Sequence, residues 1–340
     1  MPTEPMDTMV WDRRALRLGV GVTIVFLVAL YVNWLLAYLA PVFAAPLLQG
    51  RRLPTLREAG ILMLATIAIA YAAMAAGGVA RAYPMLFVVG LLPLLVATFR
   101  YHQRGGNTII VVVILCAVLL VPLGAKVTPG VARDLAASFI WNIGLSLVVT
   151  IAMFTLIPPR GEEPGSAQRT PLPPEEAAWR AWQIALITWS YSVAYFAFDW
   201  TNIHTPLYIA IYVQQLSLAR SLSVSGAILL ANLFGGIVAL VLYELIAMTP
   251  IFVFMAVLML PVHLLFARMA TGGTKLAPLA GTALSVMLIL LGGAMSPTDA
   301  NASAGFVDRL GELAMAAIYA TVALAVIEAF RGGKSKPAIP

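Results

Sequence analysis

The most constraining feature of this sequence is an internal repeat, because nearly the same hydrophobic pattern occurs twice, ~166 residues apart. Residues 41–49 (PVFAAPLLQ) recur as residues 206–214 (PLYIAIYVQ), and Gly60 recurs as Gly226. Both copies are almost wholly apolar. A doubled hydrophobic unit is typical of membrane transporters whose substrate site lies at the interface of the repeats.

The composition excludes an ordinary soluble domain. Hydrophobic residues make up 61% of the 340 residues and charged residues 11%, whereas soluble proteins carry about 25% charged residues. The lipid bilayer is therefore the predicted solvent. The net charge of +6 does not predict nucleic-acid binding, because the basic residues lie in short segments between apolar runs. The single cysteine, Cys116, excludes an intrachain disulfide, and no cofactor or metal is expected.

A spanning criterion of ~20 residues predicts an all-α polytopic membrane protein with about six segments in each copy. An even number of crossings in each copy makes the repeats parallel, related by a pseudo-twofold axis along the membrane normal. The second segment of each copy is short and begins at a proline, so a full span and a half-helix both stay open. The predicted segments cover residues 16–39, 41–50, 59–77, 83–99, 107–123, 132–157, 180–200, 205–218, 223–246, 250–267, 277–295 and 306–329.

The distribution of Lys and Arg predicts the orientation in the membrane. With the N-terminus in the cytoplasm, all but Arg81, Lys126, Arg133 and Arg309 of the 21 basic residues lie on the inside. The positive-inside rule therefore predicts a multi-pass protein with both termini in the cytoplasm. The predicted organisation is an N-terminus at 1–15, repeats at 16–157 and 179–330, a Pro-, Gly- and Glu-rich linker at 158–178, and a basic tail at 331–340.

A polar stripe marks the first segment of the second copy. Thr188, Ser192, Tyr195 and Asp199 have helical spacing that places them on one face. Charges inside a span are costly and therefore functional candidates. One interpretation is a water-filled path in which Asp199 takes up and releases a proton. The other is that Asp199 anchors the helix end in the membrane interface.

Two further residues are candidates for proton coupling. His204 follows Asp199 closely, and histidine is the side chain that can exchange a proton near neutral pH, although a solvated loop histidine is the favoured interpretation. Glu244 lies near the end of an apolar segment without a local basic partner.

Polar and aromatic residues of the short second segments are candidates for the substrate path. Tyr208, Tyr212 and Gln215 share a helix face that can stack an aromatic ligand or pack against other helices. An arginine beyond the segment end, Arg220, can attract an anion, or it can be an ordinary basic residue of an inside loop. The segments themselves end in glutamines, Gln49 in the first copy and Gln214 in the second.

The sequence resembles the fusaric-acid-resistance and aromatic-acid exporter family over residues 14–157 and 180–330. The resemblance rests on a pattern that occurs in both copies: a first helix that begins with Arg, a short segment that begins with Pro and ends in Gln, and a helix that begins with Gly. The resemblance implies a bacterial inner-membrane efflux permease for small organic, mainly aromatic, acids, and our first hypothesis is that it is proton-driven. It also implies a periplasmic membrane-fusion adaptor as partner, and it is compatible with a homo-oligomer. Plant malate channels are a more distant resemblance. A passive anion channel and a non-transporting membrane scaffold stay open as alternatives. An enzyme is not expected, because no catalytic motif is present.

We expect Asp199→Asn to abolish proton-coupled export while the protein still folds, because Asn33 occupies the matching position of the first copy. The measurement is uptake of the substrate into inside-out membrane vesicles as a function of pH, because uptake into such vesicles corresponds to export from the cell. Normal export by Asp199→Asn over the whole pH range would show that coupling does not depend on this carboxylate.

Overall fold

The computed structural model describes residues 8–50, 52–159, 172–198, 200, 204–217, 222–274, 276–295, 311–312, 314–324 and 326–327. Every regular element in these ranges is an α-helix, and eight of the helices are long and apolar enough to cross a membrane. The chain is a multi-pass helical membrane protein. The helices are α1 (Thr8–Val32), α2 (Leu39–Leu48), α3 (Leu56–Ala82), α4 (Pro84–Gln103), α5 (Thr108–Val127), α6 (Pro129–Leu156), α7 (Pro174–Ala197), α8 (Thr205–Ser217), α9 (Leu222–Met248), α10 (Phe252–Thr271), α11 (Ala277–Ala294) and α12 (Ala314–Leu324).

The predicted segments coincide with these helices to within several residues, but the predicted end of the first one is wrong. α1 ends at Val32 rather than at residue 39. A turn over residues 33–38 separates it from α2, and this turn contains two non-glycine residues in the left-handed region, Asn33 (φ 58°) and Leu36 (φ 57°). Residues other than glycine rarely adopt this backbone conformation. The turn therefore needs stabilising contacts with other parts of the protein.

Two side chains of α6 supply that support. The Asn142 side chain accepts a hydrogen bond from Trp34 Nε1 (2.8 Å) and donates one to the Leu36 carbonyl (3.1 Å). Ser146 Oγ donates to the Ala40 carbonyl at 2.8 Å. Both α6 side chains are fully buried. Non-helical backbone at membrane depth is tolerated where protein groups satisfy it, so α6 stabilises the break between α1 and α2. Trp34 consequently has a structural role as a hydrogen-bond donor to α6.

The other end of α2 is held by two arginines of α1. Arg14 Nη2 donates to the Gln49 carbonyl at 2.9 Å, and Arg17 donates to the carbonyls of Leu48 and Gly50, both at 3.4 Å. Arg17 is fully buried, and its guanidinium lies 3.9 Å from the ring centroid of Phe154. Cations at a helix C-terminus compensate the terminal carbonyls.

These anchors explain why α2 can be short. A helix of ten residues rises ~15 Å, about half the ~30 Å of the hydrocarbon core. A helix of thirteen residues, the length of α8, rises ~20 Å. α2 and α8 are thus too short to span the bilayer as helices alone, although the turn and α2 together return from the end of α1 to Arg14 near its start.

The chain forms two compact units, and each takes helices from both halves of the sequence. The first comprises Met1–Ala68, Ala137–Gln168 and Gly226–Leu310, and the second Ile69–Ala136, Arg169–Ser225 and Gly311–Pro340. In the first unit α1 packs on α2 and α10, and α11 packs on α10 and α2. In the second unit α7 packs on α8 and α4, and α5 packs on α4 and α8. The compact units therefore differ from the predicted sequence repeats.

The packing of α1 on α10 in the first unit is close and contains a buried polar pair. Thr23 Oγ1 lies 2.9 Å from Nδ1 of His263, a fully buried residue of α10. The Phe26 ring meets the same imidazole edge to face, with centroids 5.7 Å apart. One turn earlier on α1, a Cβ atom placed on Gly19 would lie 2.9 Å from the Leu264 Cα atom. The absent side chain of Gly19 therefore allows the two backbones to approach.

We expect Gly19→Val to destabilise the protein by ~1–3 kcal/mol, because the added side chain meets the Leu264 backbone, which cannot move aside without separating the helices. The measurement is the thermal unfolding temperature of the purified protein in detergent. Gly60→Val is the matched control, since a Cβ atom at Gly60 meets nothing within 4 Å. Equal unfolding temperatures for the two variants would contradict this account of the α1–α10 contact.

Candidate anion-binding site

The polar stripe of α7 is buried in the second unit. Thr188, Ser192 and Tyr195 are each at most 1% exposed. The Thr188 hydroxyl donates to the Ile184 carbonyl (3.0 Å), and the Ser192 hydroxyl donates to the Thr188 carbonyl (2.9 Å). These hydroxyls are satisfied within their own helix and face packed protein, not an open aqueous path. Asp199, the fourth predicted member of the stripe, lies outside the described residues.

The buried end of the stripe meets a lysine. Lys126, in the last turn of α5, places Nζ 5.1 Å from the ring centroid of Tyr195 and 5.7 Å from that of Phe196. This ammonium nitrogen is buried. The Phe196 ring also lies 5.6 Å from the ring of Phe87 on α4. We call Phe87, Lys126, Tyr195 and Phe196 the Lys126 cluster. Three helices of one unit, α4, α5 and α7, build it.

α8 contributes an aromatic and imidazole pair to the same unit. The His204 ring stacks on the Tyr208 ring, with centroids 6.3 Å apart and 22° between the planes. The His204 carbonyl accepts hydrogen bonds from the backbone nitrogens of Leu207 and Tyr208, so this residue forms the start of the helix. His204 is only 7% exposed. The interpretation of His204 as a solvated loop histidine is therefore wrong, because α8 packs on α5 and α7.

Of the other residues predicted to line the substrate path, some are buried and some lie outside the described part of the chain. Tyr212 and Gln214 are buried on α8, beside α5 and α7. The Gln215 side chain and Arg220 lie outside the described part of the chain. Gln49 contributes its backbone carbonyl to the anchor of Arg14 in the first unit, which is a structural role for its main chain.

Two charged residues, the proton-coupling candidate Glu244 and the loop residue Arg52, are exposed. Glu244 lies in the last turns of α9 with an exposed side chain. Arg52 is 66% exposed and pairs with Glu58 at 2.6 Å. Glu58 also accepts from the Thr55 backbone nitrogen (2.9 Å), and Thr55 Oγ1 accepts from the Glu58 nitrogen (3.2 Å), which forms a capping box at the start of α3. Arg52 thus belongs to a helix start.

The corresponding stretch of the first unit has no cation. At the repeat spacing, Lys126 corresponds to the Gly292–Gly293 pair of α11, and Tyr195 and Phe196 correspond to Ala29 and Leu30. Gly292 lies against Tyr38, whose Cα atom would be 3.3 Å from an added Cβ. A lysine side chain does not fit in that position. The residues of the first unit that match Lys126, Tyr195 and Phe196 therefore provide neither a cation nor an aromatic ring.

The arrangement combines a point charge with aromatic faces. A buried ammonium ion is stabilised by ring faces and by anions, and a carboxylate forms a charge-assisted hydrogen bond with it. Sequence reasoning missed Lys126 as a functional residue because it counted it among the few basic residues outside the membrane. The available signal was that this lysine ends an otherwise apolar helix.

In a comparison with known protein families, less than half of the chain gives a match. Residues 14–156, which include Phe87 and Lys126, match a family described as a protein of unknown function (DUF2955). No curated protein and no solved structure matches the chain. The family description gives no activity, so the resemblance to aromatic-acid exporters stays a prediction.

Proposed function

We propose that this chain is an efflux permease of the inner membrane for small aromatic acids, and that Lys126 holds the carboxylate of the substrate. The observation that carries the proposal is the buried ammonium of Lys126 beside the rings of Tyr195 and Phe196. Each part of an aromatic acid then has a matching group: a cation for the carboxylate and ring faces for the ring.

The energetics favour an anion as the transported species. A carboxylate that leaves water for a low-dielectric site needs a hydrogen-bonded or charged partner. Lys126 is a compact charge at the end of a flexible stem, so it can follow a substrate over a short distance. The ring pair of His204 and Tyr208 at the start of α8 adds an imidazole and a further aromatic ring within the same unit.

We also infer that the chain consists of two six-helix repeats, which support transport by alternating access. Three observations support the repeats. The helix pairings within the two units correspond to one another. α2 and α8 are both short. Both α4 and α10 are followed by a glycine with positive φ, Gly105 (85°) and Gly273 (65°). Because the cation occurs in one unit, the proposal has one substrate site per chain.

The orientation follows from the basic residues. With both termini in the cytoplasm, the Lys126 end of α5 faces the outside of the cell. Lys126 would then be the last binding position of an exported anion. Proton coupling is assigned to Asp199 on the sequence argument alone, with His204 as the neighbouring titratable group.

We expect Lys126→Gln to reduce benzoate transport by about 10- to 100-fold at low substrate, because it removes a charge-assisted hydrogen bond from the bound carboxylate. Lys126→Arg should retain part of the activity, since the positive charge remains. The measurement is counterflow of labelled benzoate into proteoliposomes with and without a pH gradient.

Arg133→Gln is the matched control, because Arg133 lies near Lys126 in the sequence but is exposed and paired with Asp134. An equal loss of benzoate transport in Lys126→Gln and Arg133→Gln would show that the effect comes from surface charge, and it would contradict a substrate site at Lys126. Transport that ignores the pH gradient would favour the passive channel. No transport of any aromatic acid by the wild type would contradict the permease.

A further inference from the structure

A second site of a different kind lies at the other end of α4. A cavity of about 830 Å³ runs along this helix in the second unit. Its volume falls within the range of ~300–1,000 Å³ that is usual for ligand sites. Trp182 of α7 lines it from the neighbouring helix, and its wall is formed by Leu92, Pro93, Val96 and Ala97.

The cavity has an apolar part and a basic rim. Arg100 and Arg104 line it at the end of α4, and both side chains are exposed. From Leu92 to Arg100 the helix rises ~12 Å, so the apolar wall extends from the arginines towards the middle of the span. Neither arginine forms an ion pair with an acidic residue in the described part of the chain. Among the described residues, therefore, no carboxylate neutralises these two charges.

The rim has a fixed backbone. Gly105 adopts a φ of 85°, and the Gly106 nitrogen donates to the Tyr101 carbonyl at 3.0 Å, which closes the end of α4. The Asn107 nitrogen donates to the Tyr101 hydroxyl at 3.2 Å, and the Asn107 side chain accepts from the Ile109 nitrogen at 2.9 Å. These bonds hold the turn that carries Arg104.

We propose that this cavity binds an anionic glycerophospholipid, with the phosphate headgroup between Arg100 and Arg104 and an acyl chain against the apolar wall of α4. Basic pockets beside transmembrane helices are suited to anionic headgroups. An exposed tryptophan such as Trp182 (45% exposed) is typical of the headgroup level of the membrane.

The apolar wall distinguishes a lipid from a soluble anion. A free phosphate or a small organic acid would use the arginines and leave the ~12 Å of apolar wall uncovered. A phospholipid covers both parts of the cavity at once. The proposal is independent of the transport function, because the cavity residues do not include the Lys126 cluster.

The test measures how strongly the purified protein retains phosphatidylglycerol. The full chain is reconstituted in phosphatidylcholine vesicles with a minor share of phosphatidylglycerol, extracted in mild detergent, and its bound lipid is quantified by mass spectrometry. We expect Arg100→Gln/Arg104→Gln to reduce phosphatidylglycerol retention by ~30-fold, at a tenfold loss for each ~1.4 kcal/mol and ~1 kcal/mol for each arginine. Arg57→Gln/Arg268→Gln removes the same charge from exposed positions outside the cavity and should retain the lipid.

A second variant tests the apolar part. Ala97→Phe places a ring in the cavity beside its apolar wall and leaves the charge unchanged. Because Ala97 is exposed, the larger side chain does not disturb the core. We expect it to lose phosphatidylglycerol as well. Equal retention in the two double-arginine variants would overturn the site, because the effect would then be general charge attraction. Full retention of phosphatidylglycerol by Ala97→Phe, or displacement of the lipid by inorganic phosphate, would overturn the proposal of a lipid site and favour a site for a soluble anion.

Discussion

The constraint on which this structure depends is that backbone groups at membrane depth must find partners in the protein, because lipid offers none. The turn after α1 is held by Asn142 and Ser146 of α6. The far end of α2 is held by Arg14 and Arg17 of α1. These two polar anchors allow a helix of half the membrane thickness to exist. They also connect three helices of the first unit, so the short helix is part of the packing of the whole unit.

The two units share a pattern of helix pairs but differ in chemistry. In the first unit, the close approach at Gly19 and the Thr23–His263 pair join α1 to α10, and the Gly292 position is occupied by packing against Tyr38. In the second unit, the matching region carries Lys126 and its aromatic neighbours. The two units thus share a helix arrangement and differ at this position, and under the proposed function the second unit carries the substrate site.

Sequence reasoning predicted the helices well, because each span must present an apolar run of a fixed length to the bilayer. It could not predict the end of α1, since the groups that stabilise the turn, such as Asn142 and the Leu36 carbonyl, are 106 residues apart in the sequence. Helical spacing predicted that Thr188, Ser192 and Tyr195 share one face, but not that all three are buried in packed protein. Sequence reasoning missed Lys126, because its aromatic partners come from α7, in the other half of the chain. Local patterns carry no information on such distant contacts.

The central claim is that each compact unit is built from both halves of the chain, and cross-linking across a cut linker tests it most directly. The protein would carry Cys116→Ala, Thr23→Cys and His263→Cys, with a protease site inserted between residues 160 and 171. Thr23 and His263 are in contact, so a short thiol cross-linker should keep the two halves on one band of a denaturing gel after cleavage. Each single-cysteine variant should separate into two bands. Separation of the halves in the double-cysteine protein would contradict the packing of α1 on α10 and the account built on it.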